Sequence, residues 1–324
     1  MAGERCEQAE AILSRLSPPP WLDRWAVTRS GKAAALARLS GVVHDPTGVE
    51  VNRRAFLGRA AVGMVGLATG GAALDLDRRS DTRSREADDS AGPDGWPRSL
   101  GQRRLVWSVP TTLPLVALTF DDGPDPDLTP GVLEALAAHG AKATFNMMGW
   151  SAGRRPDLVR AVVDAGHELG NHTWTHRDLA GQSASQTRRE LDRGRCAIEA
   201  AGGVRPRWFR PPRGNLTGAA LCAASELGQD VLLWSIDRGP AGVGTPAAVA
   251  DHLSRVVGPG DVVGLHDGIG RGTFDPDGTV ARYLRARRLV ELAALPTALR
   301  RLQDQGLRLV TASELVAAVA QARV

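Results

Sequence analysis

The sequence predicts an α/β domain in which about seven strand–helix units form a barrel. Short apolar runs alternate with helical stretches from about residue 110 onward in the 324-residue chain, which is typical of a parallel sheet. Glycine follows several of the helical stretches, for example Gly140 and Gly306, as is usual where helices end. Polar clusters stand where the apolar runs stop, and barrels place their active sites at such strand ends. An open doubly wound sheet is the alternative.

The apolar runs have the length of strands, and the stretches between them have the length and composition of helices. The predicted strands cover 115–120, 143–148, 167–171, 207–210, 230–236, 261–266 and 307–311. The predicted helices cover 129–139, 156–165, 183–201, 218–227, 246–257 and 287–305. Hydrophobic residues make up 43% of the chain, which is enough to fill the core of one large domain.

The chain before this domain shows a change of composition. An N-terminal extension outside the core comes first. Arg53 and Arg54 then precede Phe-Leu and an uncharged stretch, a pattern that resembles a twin-arginine export signal. A charged, polar segment without apolar periodicity follows and is expected to be a linker. The predicted boundaries are 1–51 for the extension, 52–74 for the signal, 75–98 for the linker and 99–324 for the domain.

An export signal predicts an extracellular or envelope-associated protein. The uncharged stretch at 60–74 is shorter than a bilayer-spanning helix, so it is expected to belong to the signal or to anchor the chain at a membrane. A start at Val49 or Val51 would bring the signal to the N-terminus, and the extension would then not be translated. The alternative is a cytosolic amphipathic helix that carries two arginines, in a cytoplasmic protein.

Charge and cysteine content exclude some functional classes. The formal net charge is +4, but the basic residues are scattered and are not interleaved with aromatic residues, so no nucleic-acid partner is expected. The three cysteines lack the spacing of a zinc ribbon. Cys196 and Cys222 would pair in an exported protein or would be buried as small residues, and the latter is favoured.

The most informative residues follow the first predicted strand. Asp121 and Asp122 end the apolar run at 115–120, and Gly-Pro comes directly after them. About fifty residues later stand His172 and His176, four positions apart. One carboxylate and two imidazoles suit a divalent metal such as zinc, with one coordination position left for water. The second carboxylate is then available as a base, so the sequence predicts a metal-dependent hydrolase.

Three further polar residues end predicted strands. Arg210 ends the fourth strand, Asp237 follows the fifth, and His266 ends the sixth. Because the C-terminal ends of barrel strands converge on one face, these side chains are expected to meet the two aspartates there. The residues between His172 and His176 include no glutamate, which excludes the helix motif of a His-Glu-x-x-His protease.

These motifs together resemble the ordered signature of the NodB-type polysaccharide deacetylases, carbohydrate esterase family 4. The motifs are Thr119 to Pro124, the pair His172 and His176, Arg210-x-Pro212-x-Gly214, and Leu265-His266-Asp267. The resemblance covers about residues 110–315 and implies a distorted (β/α)7 barrel of the NodB-homology type. It implies an enzyme that removes N- or O-acetyl groups from polysaccharides.

The resemblance also implies roles for individual residues. Asp122, His172 and His176 would hold the metal, most often zinc, with cobalt, manganese or nickel as alternatives. Asp121 would be the general base and His266 the general acid. Arg210 would hold the carboxylate of Asp121. Substrate contacts are expected from the motif residues Pro212, Gly264 and Leu265.

The sequence departs from the family pattern at two places. The fourth motif usually runs Asp-x-x-Asp-Trp, and here Asp237 matches the first aspartate while Pro240 and Ala241 replace the second aspartate and the tryptophan. The second aspartate normally supports the acid histidine, so Asp237 is expected to substitute for it unless His266 is tuned in another way. The residue two before that histidine is usually leucine. Gly264 stands there, which predicts a roomier acyl pocket or a displaced wall.

The preferred function is therefore removal of acetyl groups from a cell-wall or environmental polysaccharide. Chitin oligomers, peptidoglycan glycan and acetylated xylan are all compatible substrates, and the sequence does not define the oligomeric state. One alternative is a hydrolase of a small cyclic amide or formamide on the same scaffold. Another is a non-catalytic carbohydrate-binding protein, and a purely structural α/β domain would leave the converging strand ends unexplained.

Overall fold

The computed structural model describes residues 103–322, and the segments assigned above to 1–51, 52–74 and 75–98 lie outside the described residues. Parallel strands alternate with helices along this part of the chain. The strands are β1 (Leu105–Val106), β2 (Leu115–Asp121), β3 (Thr144–Met147), β4 (Glu168–Asn171), β5 (Trp208–Phe209), β6 (Asp230–Leu232), β7 (Ile236–Asp237), β8 (Val262–His266) and β9 (Arg308–Val310). The helices are α1 (Thr129–Ala138), α2 (Gly149–Arg154), α3 (Pro156–Asp164), α4 (Ala184–Gly202), α5 (Gly218–Glu226), α6 (Pro246–Val256), α7 (Thr279–Asp304) and α8 (Ala312–Gln321).

Within residues 103–322 all nine strands belong to one curled sheet, in the order β1-β6-β5-β4-β3-β2-β8-β7, and β9 pairs with the start of β2. Every strand pair in this order is parallel. β6 and β7 are separated by three residues, Leu233 to Ser235, yet they pair at opposite ends of the sheet. One short segment of chain therefore joins the two ends of the sheet, and the architecture is the predicted distorted barrel.

Strand β2 is central because it pairs with β3, β8 and β9 and all seven of its residues are buried. Its side chains alternate between two faces, as in any strand. Val116, Leu118 and Phe120 pack in the large core between sheet and helices, whereas Leu115 and Ala117 pack inside the curl. Asp121 continues the inward series, so the register of β2 directs this carboxylate to the interior end of the barrel.

The predicted elements are found with modest shifts at their ends. The strand predicted at 230–236 is wrong as a single element, since it is split between β6 and β7 where the chain crosses to the other end of the sheet. The last long helix begins at Thr279 rather than at 287. Helices α2 and α8 were not predicted, because α2 is only six residues long and α8 lies at the C-terminus beyond the last predicted strand.

Two further expectations concern the surface. Cys196 and Cys222 are exposed and unpaired, so the favoured expectation that they are buried is wrong. Both lie on helices, α4 and α5, on sides turned away from the core. Among the described helices, none combines the length and apolar character needed to cross a membrane.

His167 provides a pH test of this fold. Its side chain is buried against Phe145, with ring centroids 5.4 Å apart, and burial together with the nearby charge of Lys142 lowers the pKa of His167 to about 4. The unfolded chain would protonate this residue near its ordinary pKa of 6.5. The unfolded state therefore binds more protons between these values, and stability should fall as the pH decreases from about 6.5 to about 4.

We expect His167→Phe to flatten the fall in melting temperature across this pH interval. Thermal unfolding of the wild-type chain and the variant, followed by circular dichroism at several pH values, measures the effect. His139, on the exposed C-terminal end of α1, supplies the matched control as His139→Gln. Equal slopes for the wild type and His167→Phe would contradict the assignment of a buried neutral imidazole.

Candidate active site

Asp121 is held as a buried carboxylate at the end of β2. Its Oδ1 accepts hydrogen bonds from Arg210 Nη1 at 2.7 Å and from Asn146 Nδ2 at 2.8 Å. Burial alone would raise the pKa of Asp121, but Arg210, with lesser contributions from His172 and His266, lowers this pKa below its usual value. Asp121 is therefore ionised, and its second oxygen, Oδ2, is the one that can accept a proton.

Arg210 directly follows strand β5 and places its positive charge beside Asp121. The side chain has no exposed surface. Its guanidinium donates to Thr119 Oγ1 at 2.6 Å and to the carbonyl oxygens of residues Leu232 and Leu233 at 3.0 and 2.7 Å. These bonds reach β2 and β6 as well as the carboxylate. Arg210 therefore connects the general-base candidate Asp121 with strands β2, β5 and β6.

Asp122, directly after β2, contacts a different set of partners. Its backbone φ is 78°, in the left-handed region that non-glycine residues rarely adopt. Its Oδ1 lies 3.6 Å from His172 Nε2 and 3.2 Å from His176 Nε2. The peptide oxygen of Asp122 packs so closely on Gly268 that a Cβ there would lie 2.3 Å from it. The close packing fixes the second carboxylate away from the first.

Asp122, His172 and His176 form a group suited to a divalent metal. The three ligand atoms lie within 4.8 Å of one another. Oδ1 of Asp122 is buried and has no hydrogen-bond partner, which leaves it available to a cation. His172 Nδ1 lies 2.7 Å from the carbonyl oxygen of Arg210, and because a carbonyl only accepts, Nδ1 donates and Nε2 keeps its lone pair. The residues present therefore fit the ion that the resemblance implies.

The charges around this group agree with the metal interpretation. Burial raises the pKa of Asp122, but His176, His266, His172 and Arg288 more than offset this and lower it to about 2. Burial lowers the pKa of His176 to about 4. The group thus presents an ionised carboxylate and a neutral imidazole, which are the protonation states in which these side chains bind metals.

The segment from His172 to His176 is a tight loop rather than a helical turn. Thr173 and His176 have φ values of 69° and 55°, again in the left-handed region. Thr173 Oγ1 accepts from the backbone N–H of His176, and Thr175 donates its hydroxyl and its N–H to Glu190 on α4. The loop is therefore anchored at both of its threonines, which brings the two imidazoles to the same carboxylate.

His266, at the end of β8, is supported by a residue that the sequence did not indicate. Its Nδ1 lies 3.1 Å from Oε2 of Glu291, on helix α7. Asp237 is exposed, and its Oδ1 accepts from the N–H of Gly239 instead. The expectation that Asp237 supports the acid histidine is therefore wrong, because Asp237 caps its own turn and helix α7 supplies the carboxylate.

The three residues expected to contact substrate lie in different surroundings. Leu265 packs in the large core, since strand alternation places it on the opposite face from Gly264 and His266, so its expected substrate contact is wrong. Pro212 is buried at the start of a short 3-10 turn. At Gly264 a Cβ would lie only 3.0 Å from Cγ of Trp234. The space left by the missing side chain is thus occupied by an indole, which favours a displaced wall over a roomier pocket.

Some members of the site were not found from the sequence. Asn146, Arg288 and Glu291 all contact predicted site residues. Thr119 belongs to the first motif but had no predicted role, and it contacts Arg210. Asn146 had a visible signal, since a polar side chain inside an apolar strand must find a partner. Arg288 and Glu291 had a weaker one, an acid–base pair three residues apart among apolar helix residues. Arg288 contacts Asp122, and Glu291 contacts His266 at the end of β8. These residues are far apart in the sequence, so the spacing of the motifs does not predict their contacts.

Comparison with known proteins agrees with this geometry. A family model described as polysaccharide deacetylase matches residues 108–232. A peptidoglycan-N-acetylglucosamine deacetylase of Bacillus cereus is 36% identical over 214 residues, which cover 65% of this chain and 92% of the relative. A chitooligosaccharide deacetylase of Sinorhizobium fredii is 35% identical over 212 residues, covering 64% and 95%.

A solved peptidoglycan N-acetylglucosamine deacetylase has a similar structure, with a TM-score of 0.57 and 28% identity over 66% of this chain and 92% of that one. Together with relatives matched over nearly their full length, this likeness defines a class of carbohydrate-active hydrolases. The chain belongs to the polysaccharide deacetylase family. It is accordingly a hydrolase of carbon–nitrogen bonds other than peptide bonds.

Replacing Arg210 tests whether the buried ion pair organises this site. Arg210→Met would leave Asp121 as an uncompensated buried charge, which costs about 3–5 kcal/mol. We expect the free energy of unfolding to fall by that amount in urea denaturation of the full chain.

Arg188→Met is the matched control, because Arg188 forms an ion pair with Glu226 in which both side chains are more than half exposed. Such surface pairs contribute about 0–1 kcal/mol. Equal losses in the two variants would show that Arg210 is not a structural centre of the site.

Proposed function

We propose that this enzyme removes acetyl groups from an N-acetylated or O-acetylated polysaccharide of the cell wall or the environment. The main support for the proposal is that the two adjacent aspartates have different partners. Asp121 is bonded to Arg210 and Asn146, whereas Asp122 faces two imidazoles. A carboxylate base beside a metal-ligand group is the arrangement that hydrolysis by water requires.

Asp122, His172 and His176 would hold a divalent ion, most often zinc, whose chemistry when bound is to polarise an acetyl carbonyl and to lower the pKa of water. Asp121 accepts a proton from the attacking water at Oδ2, while Arg210 and Asn146 hold Oδ1 in place. His266 donates a proton to the departing nitrogen. An amine leaving group needs this proton more than an alkoxide does, which fits a hydrolase of carbon–nitrogen bonds.

A polymer rather than a small amide is supported by aromatic side chains beside the site. Trp150 follows β3, Trp174 lies between the two histidines, and Phe274 follows β8. The ring centroids of Trp150 lie 5.7 Å from Trp174 and 5.3 Å from Phe274. Arg154 and Arg193 lie over the rings of Trp150 and Trp174, whereas Phe274 is 39% exposed and is the side chain at this edge against which a sugar ring would pack.

The names of the relatives favour an amino-sugar substrate. Peptidoglycan N-acetylglucosamine and chitooligosaccharides are the substrates in those names. Both contain N-acetylglucosamine, so we propose this sugar as the unit that is deacetylated. Export by the twin-arginine route, with residues 60–74 as signal or anchor, would bring the enzyme to such polymers and is part of the proposal.

Acetate release by the full chain tests the proposed function. We expect release from N-acetylated chito-oligosaccharides or peptidoglycan that stops with a chelator and returns with added Zn²⁺. Asp121→Asn keeps the shape of the side chain but removes the base, so release should fall by about 100-fold or more. Acetylated xylan is the O-acetyl comparison.

Release of ammonia, formate or a ring-opened product from small amides or formamides, with none from these polymers, would favour the small-amide alternative. Metal-independent binding of the glycans without turnover would favour a carbohydrate-binding protein.

A further inference from the structure

Glu291 occupies the position of a catalytic support although the family motif does not include it. The residue is 2% exposed at the side chain, in the first half of α7. Its two oxygens have different partners. Oε2 faces His266 Nδ1 at 3.1 Å, while Oε1 lies 2.9 Å from Arg288 Nη1 and 3.3 Å from Arg238 Nε.

The two arginines hold Glu291 in place from different elements. Arg288, three residues before Glu291 on α7, also donates to the carbonyl of Gly268 and lies 3.3 Å from Asp122 Oδ2. Arg238 follows β7 and is 2% exposed at the side chain. Burial alone would raise the pKa of Glu291, but Arg288, His266 and Arg238 together lower this pKa far below its usual value, so the carboxylate is charged.

Arg238 also organises the segment where the sequence departs from the family. Its guanidinium donates to the carbonyl oxygens of Pro240, Gly242 and Val243. Pro240 and Ala241 stand where the second aspartate and the tryptophan of the family motif would fall. The loop that has lost the supporting carboxylate is therefore folded around an arginine that contacts its replacement.

We propose that Glu291 is the positioning residue of His266 and takes over the role of the aspartate missing at position 240. The proposal rests on the function proposed above, since it assigns a support to the general acid of that reaction. Because Oε2 engages Nδ1, the proton available for transfer is on Nε2. Arg238 and Arg288 fix the carboxylate that holds the ring.

The chemical step shows when this support matters. Water adds to the acetyl carbonyl and gives one proton to Asp121. The carbon–nitrogen bond then breaks with its electron pair on nitrogen, and His266 Nε2–H supplies the proton that makes the free amine. Acetic acid and the amine are the products, and transfer of the proton from Asp121 to His266 restores both residues. An ester with a nitrophenolate leaving group breaks without this proton, so it does not need an oriented acid.

The charged groups that face His266 come from two sides. Asp121 and Asp122 lie on the β2 side, and Glu291 lies on α7. Of these three carboxylates, Glu291 is the one that hydrogen-bonds to the His266 ring. Loss of the Glu291 carboxylate therefore removes the hydrogen bond that orients the imidazole for proton transfer.

The test compares two substrates in Glu291→Gln and Glu291→Asp of the full chain. One substrate is an N-acetylated chito-oligosaccharide and the other is 4-nitrophenyl acetate. For Glu291→Gln we expect kcat on the oligosaccharide to fall on the order of 100-fold, at the lower end of what general acid–base catalysis contributes. KM for the oligosaccharide and turnover of the ester should change little.

Glu291→Asp retains the charge at a shorter reach, so we expect a smaller loss on the oligosaccharide than in Glu291→Gln. It also decides the matter if Glu291→Gln does not fold, as shown by its circular dichroism spectrum. Full oligosaccharide turnover by Glu291→Asp would then overturn the proposal, and a selective loss would support it.

Asp237→Asn tests the alternative that Asp237, at the end of β7, supports His266. We expect it to cause no selective loss on the oligosaccharide, because Asp237 is exposed and bonded to Gly239. Equal losses on both substrates in Glu291→Gln would indicate a structural role only and overturn the proposal. Absence of acetate release by the wild-type chain would overturn the proposed function itself, which separates the two failures.

Discussion

The ion pair of Arg210 and Asp121 is the interaction on which the rest of the site depends. A fully buried guanidinium is tolerated only when its donors are used, and here they reach Asp121, Thr119 and the carbonyl oxygens of Leu232 at the end of β6 and Leu233 directly after it. The backbone of Arg210 contributes as well, since its carbonyl orients His172. One residue therefore orients both the base candidate and a metal-ligand candidate.

A second chain of charges runs from the metal-ligand group to the acid candidate. Arg288 contacts Asp122 on one side and Glu291 on the other, and Glu291 contacts His266. The base is organised by Arg210 from β5, and the acid is organised from helix α7. Buried ion pairs therefore hold both the base candidate Asp121 and the support of the acid candidate His266 in place.

The sequence predicted the barrel and much of the site for physical reasons that are local. Strand ends converge in a parallel barrel, so polar residues that follow apolar runs had to meet, as Asp121, His172 and His266 do. The support of His266 was different. A motif that lost its aspartate suggested the nearest remaining one, Asp237, whereas the replacement lies 25 residues after His266 on another element. Contacts between α7 and β8 depend on packing, which spacing does not encode.

The same limit applies to the acyl pocket. Gly264 indicated a changed wall, and only the fold shows that Trp234, from the crossing segment between β6 and β7, lies over it. The same crossing explains why a single strand was predicted at 230–236. A continuous apolar run does not show where the chain changes its strand partner.

The most direct test of the account is metal binding by the two neighbouring aspartate variants. The chelator-treated full chain, Asp121→Asn and Asp122→Asn would be compared by equilibrium dialysis against Zn²⁺. The account predicts one equivalent bound by the wild type and by Asp121→Asn, with binding weakened at least about tenfold in Asp122→Asn. Loss of binding in Asp121→Asn together with retention in Asp122→Asn would contradict the division of roles between the two carboxylates.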